Sequence, residues 1–392
     1  MKEPHPIDGE WVGVDLHVHT PASKDYRGST EDPEYVDIIR RANEFAGRGR
    51  GRLSRKGRRD PQKPIACVAF TDHNSVEGFR KYRAIAEEAR HLRDAIRGRD
   101  LANPLLKQLE DDLEVIGSVR VLMGVEVKAF PGIHLLVIFH ETTQDREITD
   151  FLQDIYGRPY GELAGDPAHV TRCTLVEALN RVRDRFGERS FVVAPHIDTS
   201  DGIYEGLKEH GQARIEALKH PVIKALAFNR IETREKVRGL LSQPAYRRAD
   251  ELALIQSSDF HGQPGAVVGQ PRTEVCVTAG KASFANLREA LGHPARVKCS
   301  VDFTQDEYRR LTKGEFIAQF TAESGQCQFR ESDFSEVASA VCAMANSQGG
   351  IVELEGFVLP EADRESYVRG VLEQFSGILE NKVQPPNVRF LH

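Results

Sequence analysis

No two of the six cysteines, Cys67, Cys173, Cys276, Cys299, Cys327 and Cys342, are spaced as CxxC, which argues against a zinc ribbon or a thioredoxin-type redox motif. No apolar run approaches the roughly 20 residues that cross a bilayer. The opening Met1-Lys2-Glu3-Pro4-His5-Pro6 lacks the apolar stretch of a secretory signal. A reduced, cytoplasmic protein without membrane contact is therefore expected. No G-x-x-x-x-G-K-[ST] loop is present, so a Walker-type ATPase is not expected. A large excess of one charge is also missing. The formal net charge is -6 over 392 residues, so any nucleic-acid surface must be a local patch.

What is present is an ordinary globular composition, 40% hydrophobic and 29% charged, in a chain long enough to predict two domains. Short apolar runs recur, and several stop at a residue capable of chemistry. Trp11 to Leu16 ends at His17, Ile65 to Phe70 at Thr71-Asp72-His73, and Val119 to Val125 at Glu126. Phe191 to Pro195 ends at His196, Val222 to Phe228 at Asn229, and Leu252 to Gln256 leads to Asp259-Phe260-His261. Ile133 to Phe139 is a further strand-like run, with His134 near its start. Helix-forming stretches lie between, as in Ser75 to Arg97 and in Thr174 to Phe186, where Leu175, Ala178, Leu179 and Val182 share a face. Alternating strands and helices predict a parallel sheet or barrel, with functional residues at the C-terminal strand ends. About seven strands can be counted, which predicts an irregular barrel rather than the standard eight.

Divalent metals need several imidazoles or carboxylates converging on one point. His17 and His19 are two apart, and positions i and i+2 of an extended segment share a side. Asp259 and His261 repeat that spacing with mixed ligands. Alone each pair is weak, and a lone Glu126 or His134 reads as readily as a surface or core residue. Together His17, His19, Asp72-His73, Glu126, His196 and Asp259-His261 would share one rim. Massing so many charges there without a metal would be costly.

Asp15-Leu16-His17-Val18-His19-Thr20, Phe70-Thr71-Asp72-His73-Asn74, Gly124-Val125-Glu126-Val127, His134-Leu135-Leu136, Ala194-Pro195-His196 and Ser258-Asp259-Phe260-His261 resemble, in order, the motifs of the polymerase and histidinol phosphatase (PHP) superfamily. The resemblance covers about residues 11–300. It implies an α/β fold, a distorted (β/α)7 barrel over residues 1–300, holding three divalent ions (Zn, Mn or Fe) per chain. One ion would take His17, His19, Glu126 and Asp259. A second would share Glu126 with His134 and His196. A third would take Asp25, His73 and His261. Asp72 is expected to orient His73 rather than bind metal. Lys128, beyond Glu126, and Arg230, beyond Asn229, are placed either to hold a phosphate oxygen or to stand as ordinary rim charges. Such ions acidify a bound water and neutralise phosphate charge.

Two segments point to nucleic acid. Arg48 to Lys63 has eight basic residues, one acid and three glycines, which cannot bury a core and predicts a surface loop, either a solvated insertion or a phosphate contact. After Ser300 to Gly314 the pattern of strand-ending His and Asp stops. A helix over Phe334 to Ala345, a turn at Asn346 to Gly350 and a strand over Ile351 to Phe357 predict a small α+β domain, residues 312–392. Glu323-Ser324, Gln328-Phe329-Arg330 and Ala343-Met344-Ala345-Asn346-Ser347-Gln348-Gly349-Gly350 resemble the Schlafen AlbA_2 domain, which implies nucleic-acid binding. Gln328 replaces a carboxylate that cleaving members carry, and an amide is a poor ligand for a hard metal, so binding at most is carried over and cleavage is not; a dimerisation or packing module is the equal alternative. The leading expectation is a nuclease or nucleotide phosphoesterase. The alternatives are a small-molecule phosphomonoesterase resembling histidinol phosphatase, acting on a phosphorylated small molecule, and a non-catalytic binding or regulatory subunit.

Overall fold

A computed structural model of the chain describes residues 9–47, 65–97, 104–263, 268–269, 273–278 and 282–299, and the strands Ile317–Thr321 and Ile351–Glu355. The Arg48 to Lys63 run and most of the tail, including Glu323, Gln328 and the Phe334 to Ala345 segment, lie outside the described residues.

Nine strands form one sheet: β1 (Glu10–Val18), β2 (Ile65–Phe70), β3 (Arg120–Ala129), β4 (Ile133–Phe139), β5 (Ser190–Ala194), β6 (Ile223–Ala227), β7 (Ala253–Ile255), β8 (Thr273–Val277) and β9 (Val297–Cys299). Their spatial order is β7-β6-β5-β4-β3-β2-β1-β8-β9. The two ends of this sheet approach each other. Cys299 Sγ reaches Leu254 O at 3.0 Å, and Thr273 Oγ1 accepts from Gln256 N at 2.9 Å and donates to Gln256 O at 2.7 Å. The fold is thus a mixed α/β structure with a nearly closed, barrel-like sheet.

The seven runs found in the sequence are β1 to β7. Neither β8 (Thr-Glu-Val-Cys-Val) nor β9 (Val-Lys-Cys) stops at a histidine or aspartate, so the pattern that marks the others passes over them. Nor is the sheet purely parallel. β1, β2 and β3 run parallel, as do β5, β6 and β7, but β4 is antiparallel to both neighbours and β8 to both of its own. The turn from β3 to β4, Phe130 to Gly132, is too short for a crossover helix, so β4 must return alongside β3. The start of β4 therefore lies at the same rim as the ends of the parallel strands, which carries His134 there.

The helices are α1 (Pro33–Gly47), α2 (Glu77–Arg97), α3 (Pro104–Ser118), α4 (Asp145–Tyr156), α5 (Tyr160–Leu163), α6 (Leu175–Phe186), α7 (Gly211–Lys219), α8 (Ile231–Leu241) and α9 (Phe284–Leu291). Helix α6 begins with a reciprocal capping box: Thr174 Oγ1 accepts from Glu177 N, and the Glu177 carboxylate accepts from Thr174 N. It buries Leu175, Ala178, Leu179, Val182 and Phe186 against the outer faces of β3 to β5. The inner cluster draws on strands all round the sheet, among them Val14, Leu16, Ala69, Leu122, Ile138, Val193 and Ile255. Two layers of side chains thus hold each strand on both faces, so the rim rests on a packed support.

The strands β10 (Ile317–Thr321) and β11 (Ile351–Glu355) pair in parallel, Ile317 opposite Ile351, and belong to a second unit.

Candidate metal centre

Strand ends are stitched together beyond the regular sheet. His19 N donates to Phe260 O at 2.8 Å, Thr71 N to Val18 O at 2.9 Å, Glu126 N to Asp72 O at 3.1 Å, Asn74 N to Glu126 O at 2.9 Å, and His134 N to Asp201 O at 2.9 Å. The backbones of His19 and Glu126 are therefore set by neighbouring strand ends, and that of His134 by the loop that follows β5. In β1 a register irregularity falls between Asp15 and Val18. Val12, Val14 and Leu16 join the inner cluster, whereas Val18 joins an outer one. Such a bulge re-aims the side chains that follow it, and it turns His17 and His19 together toward the rim. Asp15, fully buried, ties this bend to the segment after β7 by accepting from Ser258 N at 3.2 Å and Gly269 N at 2.7 Å.

Glu126 is the hub. Its Oε2 lies 3.4 Å from His17 Nε2, 3.2 Å from His19 Nε2 and 3.1 Å from His73 Nδ1. Its Oε1 lies 2.7 Å from His134 Nδ1 and 3.4 Å from His196 Nε2. Glu126 is 2% exposed, and an uncompensated buried ion costs several kcal/mol; the imidazoles around it, those of His134, His17 and His73 foremost, supply the compensation. Around this hub Asp259 Oδ1 stands 3.3 Å from His17 Nε2 and 3.5 Å from His261 Nδ1. Asp25 Oδ2 stands 3.2 Å from His73 Nε2 and 3.4 Å from His261 Nε2. Ligand-capable atoms thus fall into overlapping groups: His19, Asp25, His73 and His261; His17, His19 and Asp259; His17, Glu126 and His196; His134, His196 and Asp201. Each of the nine residues named from the sequence as ligands belongs to this assembly.

The remaining candidates fare differently. Lys128 shares the Glu126 face of β3 and pairs with His134 across the ladder. Arg230 is exposed at the start of α8, and its backbone N–H donates to Asp198 Oδ2 at 2.6 Å. Asp72 does not turn to the His73 ring. Its carboxylate accepts from Thr20 N at 2.7 Å, Thr20 Oγ1 at 2.8 Å and Ser23 Oγ at 3.0 Å. Backbone pairing of His73 with Glu126 points its ring toward Asp25 and Glu126 instead. Asp201 was not singled out in the sequence, because Thr199-Ser200-Asp201-Gly202 has the composition of a plain turn.

The ionisation of these groups depends strongly on one another. Desolvation would raise the Glu126 carboxyl, but the rings of His134, His17 and His73 hold it well below its ordinary value. Hydrogen bonds from His261 and His73 overcome the same burial at Asp25 and hold it low. Burial drives His19 down to about 3. Burial also acts against the charged form of His196 and His261, yet carboxylates outweigh it: Asp201 and Glu126 lift His196 to about 10, and Asp25 and Asp259 lift His261 to about 9.

No family model and no curated protein matches this chain. Among solved structures, it is similar to the lesion-specific endonuclease EndoQ of Pyrococcus furiosus, at 12% identity over 95% of this chain and 83% of that one, with a TM-score of 0.44. An endonuclease Q complex with a 27-mer duplex carrying an abasic lesion gives 12% identity over 93% and 84%, with a TM-score of 0.45. A two-domain Bacteroides vulgatus protein containing a predicted PHP-like metal-dependent phosphoesterase gives 15% identity over 76% and 67%, with a TM-score of 0.36.

The donor set fits divalent ions. His17 Nε2 and His19 Nε2 approach to 3.0 Å while both face the same carboxylate oxygen. His17 Nδ1, His134 Nε2 and Asp25 Oδ1 are buried polar atoms without a hydrogen-bond partner. Imidazole with carboxylate suits Zn, Mn or Fe. Strain accumulates here too: Asn74, His196 and Asp259 have φ of 51°, 28° and 49°. Non-glycine residues in that region cost of order 1–3 kcal/mol each and persist where the surroundings impose them.

Proposed function

We propose that this chain is a metal-dependent phosphoesterase that hydrolyses ester bonds in nucleic acid or nucleotides. The observation that carries the reading is the convergence of five imidazoles on the buried carboxylate of Glu126. His17, His19, Glu126 and Asp259 would hold one ion, Glu126, His134 and His196 a second, and Asp25, His73 and His261 a third. Bound there, such ions supply an acidified water and neutralise phosphate charge. Glu126 presents one oxygen to each half of the centre and fixes the separation of the halves. Lys128 takes a non-bridging phosphate oxygen beside His134, and Arg230 a more distant phosphate on the exposed side. The preference for nucleic acid rests on the basic run Arg48 to Lys63.

Protein purified without chelator is expected to carry more than one transition-metal ion per chain by elemental analysis. It should cleave within a panel of single-stranded DNA, RNA, short oligonucleotides and phosphomonoesters, with Mn, Zn or Mg added in turn. Less than one ion per chain, with no activation by Mn or Zn, would sink the proposal. Cleavage confined to phosphomonoesters would make the chain a small-molecule phosphatase.

The basic run is expected to add affinity without chemistry. Replacing Arg50, Arg52, Arg55, Lys56, Arg58 and Arg59 with serine should raise KM for oligonucleotides and flatten its salt dependence, because each lost phosphate contact releases fewer counterions. Turnover of bis-p-nitrophenyl phosphate should barely change. Equal losses on both substrates would show that the segment supports the centre itself.

A further inference from the structure

Two of the histidines facing Glu126 are backed by the same three-part arrangement, built from unrelated parts of the chain. His19 Nδ1 lies 2.9 Å from Ser23 Oγ, and Ser23 Oγ lies 3.0 Å from Asp72 Oδ1. His196 Nδ1 lies 3.1 Å from Thr199 Oγ1, and Thr199 Oγ1 has two acceptors for its single proton, Asp201 Oδ1 and, at 2.7 Å, His196 O. We propose that Ser23 and Thr199 are positioning residues that orient the rings of His19 and His196, holding a proton on Nδ1 and directing Nε2 to a metal ion. The proposal rests on the phosphoesterase reading only for the identity of what the Nε2 atoms meet.

The chemistry of the hydroxyls forces this assignment. A hydroxyl has one proton to give and two lone pairs to receive with. The other neighbours of Thr199 Oγ1 are a carboxylate oxygen and a carbonyl oxygen, both acceptors, so its proton goes to one of them. Its contact with His196 Nδ1 is then a hydrogen bond only if that nitrogen carries the proton. Ser23 is saturated in the same way. It gives its proton to Asp72, whose Oδ1 also accepts from Thr20 N, and it receives His73 N at 3.3 Å as well as His19 Nδ1. With Nδ1 protonated in both rings, Nε2 of His19 faces Glu126 Oε2 at 3.2 Å and Nε2 of His196 faces Glu126 Oε1 at 3.4 Å. At His196 the carboxylates hold a second proton, on Nε2, which a metal ion would displace, whereas His19 is kept neutral by burial and its Nε2 has His17 Nε2 beside it at 3.0 Å. The relays thus orient both rings with Nε2 toward Glu126, one at each of its oxygens. A hydrogen bond on the far nitrogen of a metal-ligating histidine sets both its tautomer and its ring orientation; at His19 a hydroxyl stands between ring and carboxylate, and at His196 the Asp201 carboxylate also lies 3.4 Å from Nδ1.

The test uses the full chain with Ser23→Ala and Thr199→Val, and with Ser23→Thr and Thr199→Ser as the conservative pair. In chelator-treated protein labelled with 15N-histidine, long-range proton–nitrogen spectra should show parent rings protonated at Nδ1. One such ring should lose that signature in Ser23→Ala and another in Thr199→Val, and both should keep it in the conservative variants. In competition with a chelator, Ser23→Ala and Thr199→Val should bind Zn about 10- to 100-fold more weakly, the range seen when outer partners of metal ligands are removed. The conservative variants should recover most of that loss. Unchanged ring spectra in the alanine and valine variants, or a parent ring protonated at Nε2 and not at Nδ1, would overturn the proposal. So would parent-like Zn affinity in both. The spectra require neither metal nor activity, so a chain that bound no metal would defeat the phosphoesterase reading and leave this test standing.

Discussion

Glu126→Gln is expected to lower hydrolysis by at least about 100-fold, the upper end of what removing an outer partner costs a metal site, and to lower the metal content of the purified protein. An amide keeps the shape, loses the charge, and offers one acceptor oxygen where the carboxylate offers two. Both Glu126 oxygens are engaged, Oε2 with His17, His19 and His73, and Oε1 with His134 and His196, so the change reaches both halves of the centre. Asp259→Asn makes the useful comparison. Asp259 is 44% exposed on its side chain and contacts His17, His19 and His261 from one side. It should abolish turnover while removing less metal than Glu126→Gln. Elemental analysis and turnover of both variants decide the matter. A Glu126→Gln protein with parental metal content and activity would place the chemistry elsewhere.

The second large effect is expected from pH once metal has been removed. Chelator-treated protein should lose thermal stability between about pH 6.5, where an unfolded histidine titrates, and pH 9 to 10. His261 and His196 titrate in the fold at about 9 and about 10, because carboxylates outweigh the burial that opposes their charge. A raised pKa favours the folded state fully below the unfolded value, where both states are protonated. As pH rises past 6.5 the unfolded chain releases its protons first, and the advantage shrinks until the folded rings release theirs. Loading with Zn should flatten this decline, since a cation takes the place of the protons among the same carboxylates. Melting curves at pH 6, 7.5 and 9, with and without Zn, provide the measurement. A metal-free protein that grew more stable over that range would contradict the account.

Much of the centre can be seen in the chain itself, for a local reason. An apolar run that ends at a polar residue marks a buried strand reaching the surface, and period-two alternation marks which of its side chains share a face. His17, His19, Glu126, His196 and Asp259 are each found from their own few neighbours. The direction of β4 is not found in that way, because Ile133 to Phe139 has the same pattern read either way; the short Phe130 to Gly132 turn and pairing with β3 and β5 decide it and bring His134 to the rim. β8 and β9 end on no marked residue and exist only as partners of β1 and of each other.

The supporting residues are decided still more remotely. Asp15 meets Gly269 across 254 positions, Asp72 meets Ser23 across 49, and Asp201 meets His134 from a turn that by itself signals nothing. Alternation along a strand follows from backbone dihedrals, which each residue's neighbours largely determine. A hydrogen bond between distant segments forms only when burial of the two side-chain layers has brought their strands to one rim and removed the water that would compete for it. The sequence by itself therefore determined which side chains stand at the strand ends and that they suit divalent metals. Only the tertiary structure decided that they share Glu126, that Asp72 turns to Ser23 rather than to His73, and that Asp201 stands beside them, because those contacts depend on closure of the sheet.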